Sequence, residues 1–538
     1  MSPGFGGQAC RLAVALTLAA LAASSPARAQ FDPARVAPEP AAVAERFSEP
    51  EVAYATPAFR SGRRDFPAHA EVLDFVHDLA ARAPARVRIE IVGGSQQGRP
   101  IALIVLAGPD GVSAALPTVL VLAQQHGNEP SGGEAALALA ERLAGPDAAL
   151  LDRVNVLVVP RANPDGAERF ARTTVSGTDV NRDHLLLQTP EARALAGVAR
   201  RYRPDVVLDL HEFTVGDRWV KKYGVVQKYD ALIQAATVGN LQPAIAAEAE
   251  RRFVAPVGRA LAEEGLSSFA YHRMSQDPAD KVVSMGGVQP DTGRNVYGLR
   301  QAISLLIETR GVGIGRAHFA RRVHTHVRAA LTVIGQAASR GPRLVALTRA
   351  ADVAAAAQAC LGLLTIRAEA TSATRAMTFL DAVTGLDRPL VVPWRSANTL
   401  RVTGSRRRPC GYVLAASETE AVSRLRMLGV RVQAVALDAP WIVERYEIVS
   451  TTDRTRQDAR GPIDDGAAVR VYGVRTRRRR EVVPAGSWYV DLAQPLQALV
   501  AAALEPDSQN SYAASALIDL SAGGLLRAAA PPPAAALR

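Results

Sequence analysis

The chain has 538 residues, too many for one hydrophobic core, so two or three domains are expected. Hydrophobic residues make up 48% and charged residues 21%, which excludes bulk disorder. The formal charge of +11 favours anionic partners or surfaces, yet no aromatic-basic interleaving or finger spacing supports nucleic acid.

The elements follow in chain order. Arg11 precedes the apolar run "LAVALTLAALAA", and "SSPARAQ" places Ala27 and Ala29 in small-x-small spacing. Residues 1–29 therefore read as a secretory signal cleaved after Ala29, since the run is short of the roughly 20 residues that span a bilayer. The mature protein is expected to be exported, periplasmic or secreted, without a membrane span. Residues 30–65 form a proline- and alanine-rich leader. From Phe66 a regular alternation begins. "FPAHAEVLDFVHDLAAR" has helical spacing, and "VRIEIVGGSQQGRPIALIVLAG" reads as two strands around a Gly-rich turn. "TVLVLAQ" is a buried strand, "SGGEAALALAERLAG" a helix, "VNVLVVP" a strand, "TPEARALAGVARRY" a helix and "DVVLDLHEF" a strand. A long helix is expected near 241–265, then the strand "AISLLIETRG" and a closing helix "AHFARRVHTHVRAALTVIGQAA". Wholly apolar strands separated by amphipathic helices predict an α/β domain over 66–340, with a mixed, mostly parallel sheet sandwiched by helices.

A break is expected near "ASRGPR". Beyond it, "LRVTG", "GYVLAAS", "VRVQAVAL", "WIVERYEIV" and "AVRVYGV" predict a smaller β-rich domain over 345–525, and "AAAPPPAAALR" a disordered tail over 526–538. Arg406–Arg408 and Arg477–Arg480 are dense arginine runs, read as solvated hairpin faces or as attachment points for an anionic envelope polymer. Cys360 and Cys410 remain after signal removal; an oxidising compartment permits their pairing without requiring it.

Four groups of polar residues fall at strand ends. His126 and Glu129 follow "TVLVLAQ", "RANPDG" follows "VNVLVVP", His211 ends "DVVLDL" and Glu308 ends "AISLLI". Each alone has a plain structural reading; Glu308, for instance, can pair with Arg310. In a parallel sheet, however, these ends converge on one rim. Two histidines and a carboxylate make a zinc site with an open position for water and substrate, and Glu308 supplies the base such a site needs.

The series "HGNE … NPDG … RTTVSGTDVNRD … DLHE … IETRG", over about 66–335, resembles the carboxypeptidase A-like zinc metallocarboxypeptidases. The resemblance implies one zinc ion held by His126, Glu129 and His211, with Glu308 as catalytic glutamate. It implies that Arg172, or else Arg169, polarises the scissile carbonyl. Asn181 and Arg182 match the pair that holds the substrate's terminal carboxylate, and Asp179 the acid that orients the first zinc histidine. The chain departs from the family in lacking a tyrosine about twenty residues before the catalytic glutamate: Tyr271 stands too early and Tyr297 too late. In that region "DTGRN" offers Asp291 and Arg294, and Arg294 is expected either to contact a substrate carboxylate or to tie down its loop. His184, beside the carboxylate grip, is a candidate outer residue of the site.

The expected activity is removal of C-terminal residues from peptides or cell-wall peptides. A murein-peptide amidase or an acyl-amino-acid amidohydrolase on the same fold is the alternative. From another class, a non-catalytic envelope-binding protein on a peptidase scaffold also remains. Oligomeric state is not legible.

Overall fold

A computed structural model describes residues 1, 31–36, 38–458, 461–463 and 468–537; the apolar run and cleavage site of the expected export signal lie outside them. The centre is an eight-stranded mixed sheet. Its strands are β1 (Val87–Gly94), β2 (Pro100–Leu106), β3 (Thr118–Ala123), β4 (Asn155–Val159), β5 (Val206–Thr214), β6 (Ala231–Ala235), β7 (Ser268–Ala270) and β8 (Ile303–Val312). They lie in the order β1-β2-β4-β3-β5-β8-β6-β7. The four middle strands, β4, β3, β5 and β8, run parallel, while β2 and β6 pair antiparallel to β4 and β8.

The apolar runs are explained by burial on both faces. Successive side chains of a strand point to opposite sides. Val119 and Val121 of β3 accordingly enter one core, with the helices His69–Arg82, Pro130–Ala144 and Phe319–Arg340. Leu120 and Leu122 enter the other, against the helix Pro190–Tyr202. The long helix expected near 241–265 is a continuous helical run from Pro243 to Glu263 that passes through a π turn at Glu250–Val254. The short strands β6 and β7 have no counterpart in the sequence reading.

The leader runs along the α/β region. Val43, Phe47, Ala58 and Phe66 are buried. Glu39 bonds Arg310 and His318, and the Arg310 guanidinium lies 3.3 Å from the Phe47 ring centre. Glu134 of the helix Pro130–Ala144 is buried and accepts from Ala58 N at 2.6 Å.

At the expected break, Gly341, with φ of +48°, turns one helix directly into another, Pro342–Ala356. A glycine suits that backbone. A long hairpin follows, Leu363–Asp381 against Asp387–Arg407, and it does not stay in a separate domain. Its strands extend the two-residue strands Val225–Val226 and Val283–Ser284 of the catalytic region into one sheet. Cys360 and Cys410 are disulfide-bonded across the hairpin's base. The remaining β-rich part is a six-stranded sheet containing Gly411–Leu414, Ala439–Thr455, Ala468–Val483 and Trp488–Asp491. Its core is shared with Leu185, Leu186, Leu187 and Val296 of the catalytic region.

Two expectations need correction. Residues 526–537, within the expected tail, are not loose. Leu525–Ala528 is a strand between Gly411–Leu414 and Ala439–Thr455, and buried Arg527 pairs with Glu444 and Glu505. Long-range pairing overrides the Ala/Pro composition there. The run Arg406–Arg408 is not a solvated face either. Alternation turns Arg406 inward to Glu505 and Asp507 and Arg408 inward to Gln497, leaving only Arg407 outside. Arg477–Arg480 do lie exposed, on the strand Ala468–Val483. No helix among the described residues is long and apolar enough to cross a membrane.

Candidate metal centre and substrate pocket

The parallel strands deliver their ends to one cavity of about 220 Å³, lined by His126, Glu129, Arg172, Asn181, Arg182 and Glu308 among others. β3 stops at Gln124, whose φ of +49° turns the chain sharply toward His126. Gly127 then passes so close to the loop after β4 that a Cβ would lie 1.9 Å from Gly166 C. Only glycine fits at such a distance. The "NPDG" segment supports this approach: Asn163 accepts from Gly166 N at 2.9 Å and donates to Gln125 O at 3.2 Å. The helix Pro130–Ala144 starts immediately after Glu129 and sets the carboxylate at its mouth.

His126 Nδ1 lies 2.8 Å from Glu129 Oε1, His211 Nδ1 lies 2.9 Å from Glu129 Oε2, and the two Nδ1 atoms are 3.0 Å apart. One ligand atom from each residue falls within 4.8 Å of the others. Both imidazoles turn the other nitrogen to a carboxylate: His126 Nε2 to Asp179 at 3.0 Å and His211 Nε2 to Asp209 at 2.8 Å. Each histidine is thereby held with Nδ1 facing its neighbours, the arrangement that raises ligand basicity in zinc sites. Burial opposes charge on Glu129, but His126 and His211 together hold its carboxyl below the ordinary carboxylate range. Two histidines and one carboxylate fit zinc with a coordination position left for water or substrate.

Glu308 sits beside His211 in the register of β8 and β5. Its side chain is buried and accepts no hydrogen bond from a described residue. Burial pushes its carboxyl up, Glu129 adds to this, and His211, His126 and Arg172 pull it back. Arg172 bonds Asp179 through Nε at 3.1 Å and Nη2 at 2.9 Å, and Glu129 through Nη1 at 3.1 Å.

The profile of the zinc carboxypeptidase family matches residues 72–216. Carboxypeptidase 2 of Trichophyton equinum is 29% identical over 413 residues, covering 74% of this chain and 73% of the relative. Residues 72–216 are a zinc carboxypeptidase domain. A second relative of this carboxypeptidase, Carboxypeptidase D of Homo sapiens, is 29% identical over 147 residues, covering 24% of this chain and 11% of the relative. The crystal structure of a metallo-carboxypeptidase from Burkholderia cenocepacia aligns with a TM-score of 0.39 and 18% identity, covering 50% of this chain and 69% of that one.

The remaining site residues of the carboxypeptidase fall into two sets. Asn181 and Arg182 line the cavity, with Asn181 Oδ1 accepting from Gly293 N at 2.8 Å. Arg182 is not open on all sides: its Nε and Nη2 donate to Asp458 at 3.0 and 2.5 Å, and Nη1 to Asn181 O at 2.7 Å. Arg294 also lines the cavity, and so does Tyr271, although its sequence position stands well before the expected tyrosine. Tyr297 is packed in the core beneath β3. Arg169 is spent on the carbonyls of Asp165 and Thr173, and Asp291 on Arg456 and Asn510. His184 reaches Gln125, which in turn donates to Asp209.

Sequence reasoning missed Asp209 and Asp458. Asp209 stands two residues before His211 on β5, hence on the same face, so "DLH" carried a usable signal. Asp458 had none, being 276 residues from Arg182.

Proposed function

We propose that this chain is an exported, zinc-dependent carboxypeptidase that hydrolyses the C-terminal peptide bond of its substrate, with Glu308 as general base. The observation that carries the reading is the convergence of the His126, Glu129 and His211 ligand atoms beside a cavity lined by His126, Glu129 and Glu308, with no described residue hydrogen-bonded to the Glu308 carboxylate. One zinc ion held by the three ligands supplies Lewis acidity toward water and toward the scissile carbonyl.

The chain's own residues supply the rest. Glu308, raised by burial, takes a proton from the attacking water and returns it to the leaving amine. Arg172, fixed by Asp179 and Glu129 at the cavity wall, opposes negative charge developing on the carbonyl oxygen. Asn181 and Arg182 hold the terminal carboxylate, for which a planar guanidinium is suited. Asp179 and Asp209 keep the two histidines oriented. Export is supported by the signal-like N-terminus and by the Cys360–Cys410 disulfide, a bond that persists in oxidising compartments.

The test is metal analysis of the purified chain together with release of C-terminal amino acids from a peptide mixture. Wild type carries one zinc and is active; Glu308→Gln keeps the metal and loses activity by about 10²- to 10⁴-fold. Absence of zinc, or a variant as active as wild type, overturns the reading.

A further inference from the structure

The cavity holds more positive charge than catalysis uses. Besides Arg172 and Arg182, three arginines line it from three separate elements. These are Arg218 on the helix Arg218–Tyr223, Arg273 on the strand Arg273–Met274, and Arg294 on the helix Gly293–Leu299. Arg273 shares Asp458 with Arg182, at 3.3 Å. Arg218 and Arg294 form no ion pair with any described residue. Arg218 donates to Met274 O at 2.9 Å, Arg294 to Gly287 O at 2.7 Å, and the buried Nε of each has no partner.

Arg294 is 4% exposed, so it is a cation taken out of water without an ion pair to any described carboxylate. Burial pushes its guanidinium down to about 10, Arg273 and Arg182 push it further, and Tyr271 and Asp209 offset only part of this. A buried charge left uncompensated is costly to a fold. Its placement is nevertheless specific. A Cβ at residue 286 would lie 2.6 Å from Arg294 Nη1, so Gly286 lets the guanidinium approach the backbone of the cavity wall closely. The arrangement is what a second anionic group of the substrate requires, with the terminal carboxylate already assigned to Asn181 and Arg182.

We propose that the carboxypeptidase removes acidic C-terminal residues, glutamate or aspartate, and that Arg294, assisted by Arg218, selects the side-chain carboxylate. This rests on the carboxypeptidase reading above. A neutral isostere such as glutamine leaves Arg294 uncompensated, while a lysine side chain meets an excess of like charge.

The experiment uses the full zinc-loaded chain and N-blocked dipeptides ending in Glu, Gln, Leu or Lys. The kcat/KM for the Glu substrate exceeds that for Gln by about 30-fold or more. Arg294→Gln brings this ratio to within about threefold of unity, and Arg218→Gln lowers it less. Both substrates are measured on one preparation, so any loss of folded protein cancels in the ratio. In addition, calorimetry on the Glu308→Gln chain shows N-acetyl-L-glutamate binding more tightly than N-acetyl-L-glutamine. Hydrolysis of the Leu or Lys substrate at least as efficient as that of Glu, or a ratio that Arg294→Gln leaves unchanged, overturns the inference while the carboxypeptidase reading stands. If none of the four is cleaved, that reading falls and the inference with it.

Discussion

The pairing of Arg182 with Asp458 can be tested by Asp458→Asn. The change keeps the side-chain shape but removes a carboxylate that is 4% exposed and accepts two hydrogen bonds from a guanidinium that is 6% exposed. Removing one partner of a buried ion pair costs about 3–5 kcal/mol. Arg182 keeps its bond to Asn181 O and the fields of Asp179 and Asp291, so the low end, about 3 kcal/mol, applies. Asp458 belongs to a two-residue strand, Gln457–Asp458, that pairs with Gly461–Pro462, and the cost falls on docking of this segment. A loss of about 3 kcal/mol raises its opening equilibrium about 150-fold. The amides that report opening are Gln457 N, bonded to Gln509 Oε1 at 3.2 Å, and Ile463 N, bonded to Arg456 O at 2.9 Å. Hydrogen exchange of the intact protein should therefore accelerate by about that factor at these amides, with β3 and β5 unchanged. Equal protection in both chains would refute the argument that the Arg182–Asp458 pair latches this segment.

Two further outcomes follow from the site and its frame. Asp209→Asn leaves His211 without its carboxylate and should weaken zinc affinity about 10- to 100-fold in competition with a chromophoric chelator; unchanged affinity would remove Asp209 from the site. Replacing both Cys360 and Cys410 with serine opens a loop closed over 50 residues, and the chain-entropy estimate puts the loss near 4 kcal/mol in urea unfolding. A loss below about 1 kcal/mol would show that the hairpin's pairing holds its base without the covalent link.

Much of the catalytic region was legible because its strands are buried on both faces and end in polar residues. "TVLVLAQ" and "DVVLDLHEF" admit few other structures, and parallel strands bring their ends together. The long hairpin was not legible over its first strand. "LLTIRAEATSATRAMTFLD" is largely exposed or half-buried and shows no clean apolar alternation. Its strand form comes from pairing with Asp387–Arg407, and only Phe379, Leu380 and a few neighbours reach a core. Arg406 and Arg408 misled for a related reason: a run of like residues looks uniformly solvated until the period of a strand assigns alternate members to opposite faces. Tyr271 lines the cavity from well before Glu308, and the stretch between them contains two short strands and the helix that carries Arg294.

The distance along the chain between Arg182 and Asp458 also sets an order of events during synthesis. Translation delivers β3, β5 and β8, with His126, Glu129, His211 and Glu308, well before the segment that backs Arg182 leaves the ribosome. A nascent chain of that length holds His126, Glu129, His211 and Glu308, yet Arg182 lacks Asp458 and keeps only the fields of Asp179 and Asp291, and the sheet that carries Arg273 lacks its two hairpin strands. The pocket is therefore finished from its far side: Asp458 and the hairpin strands are made after the residues that converge at the cavity.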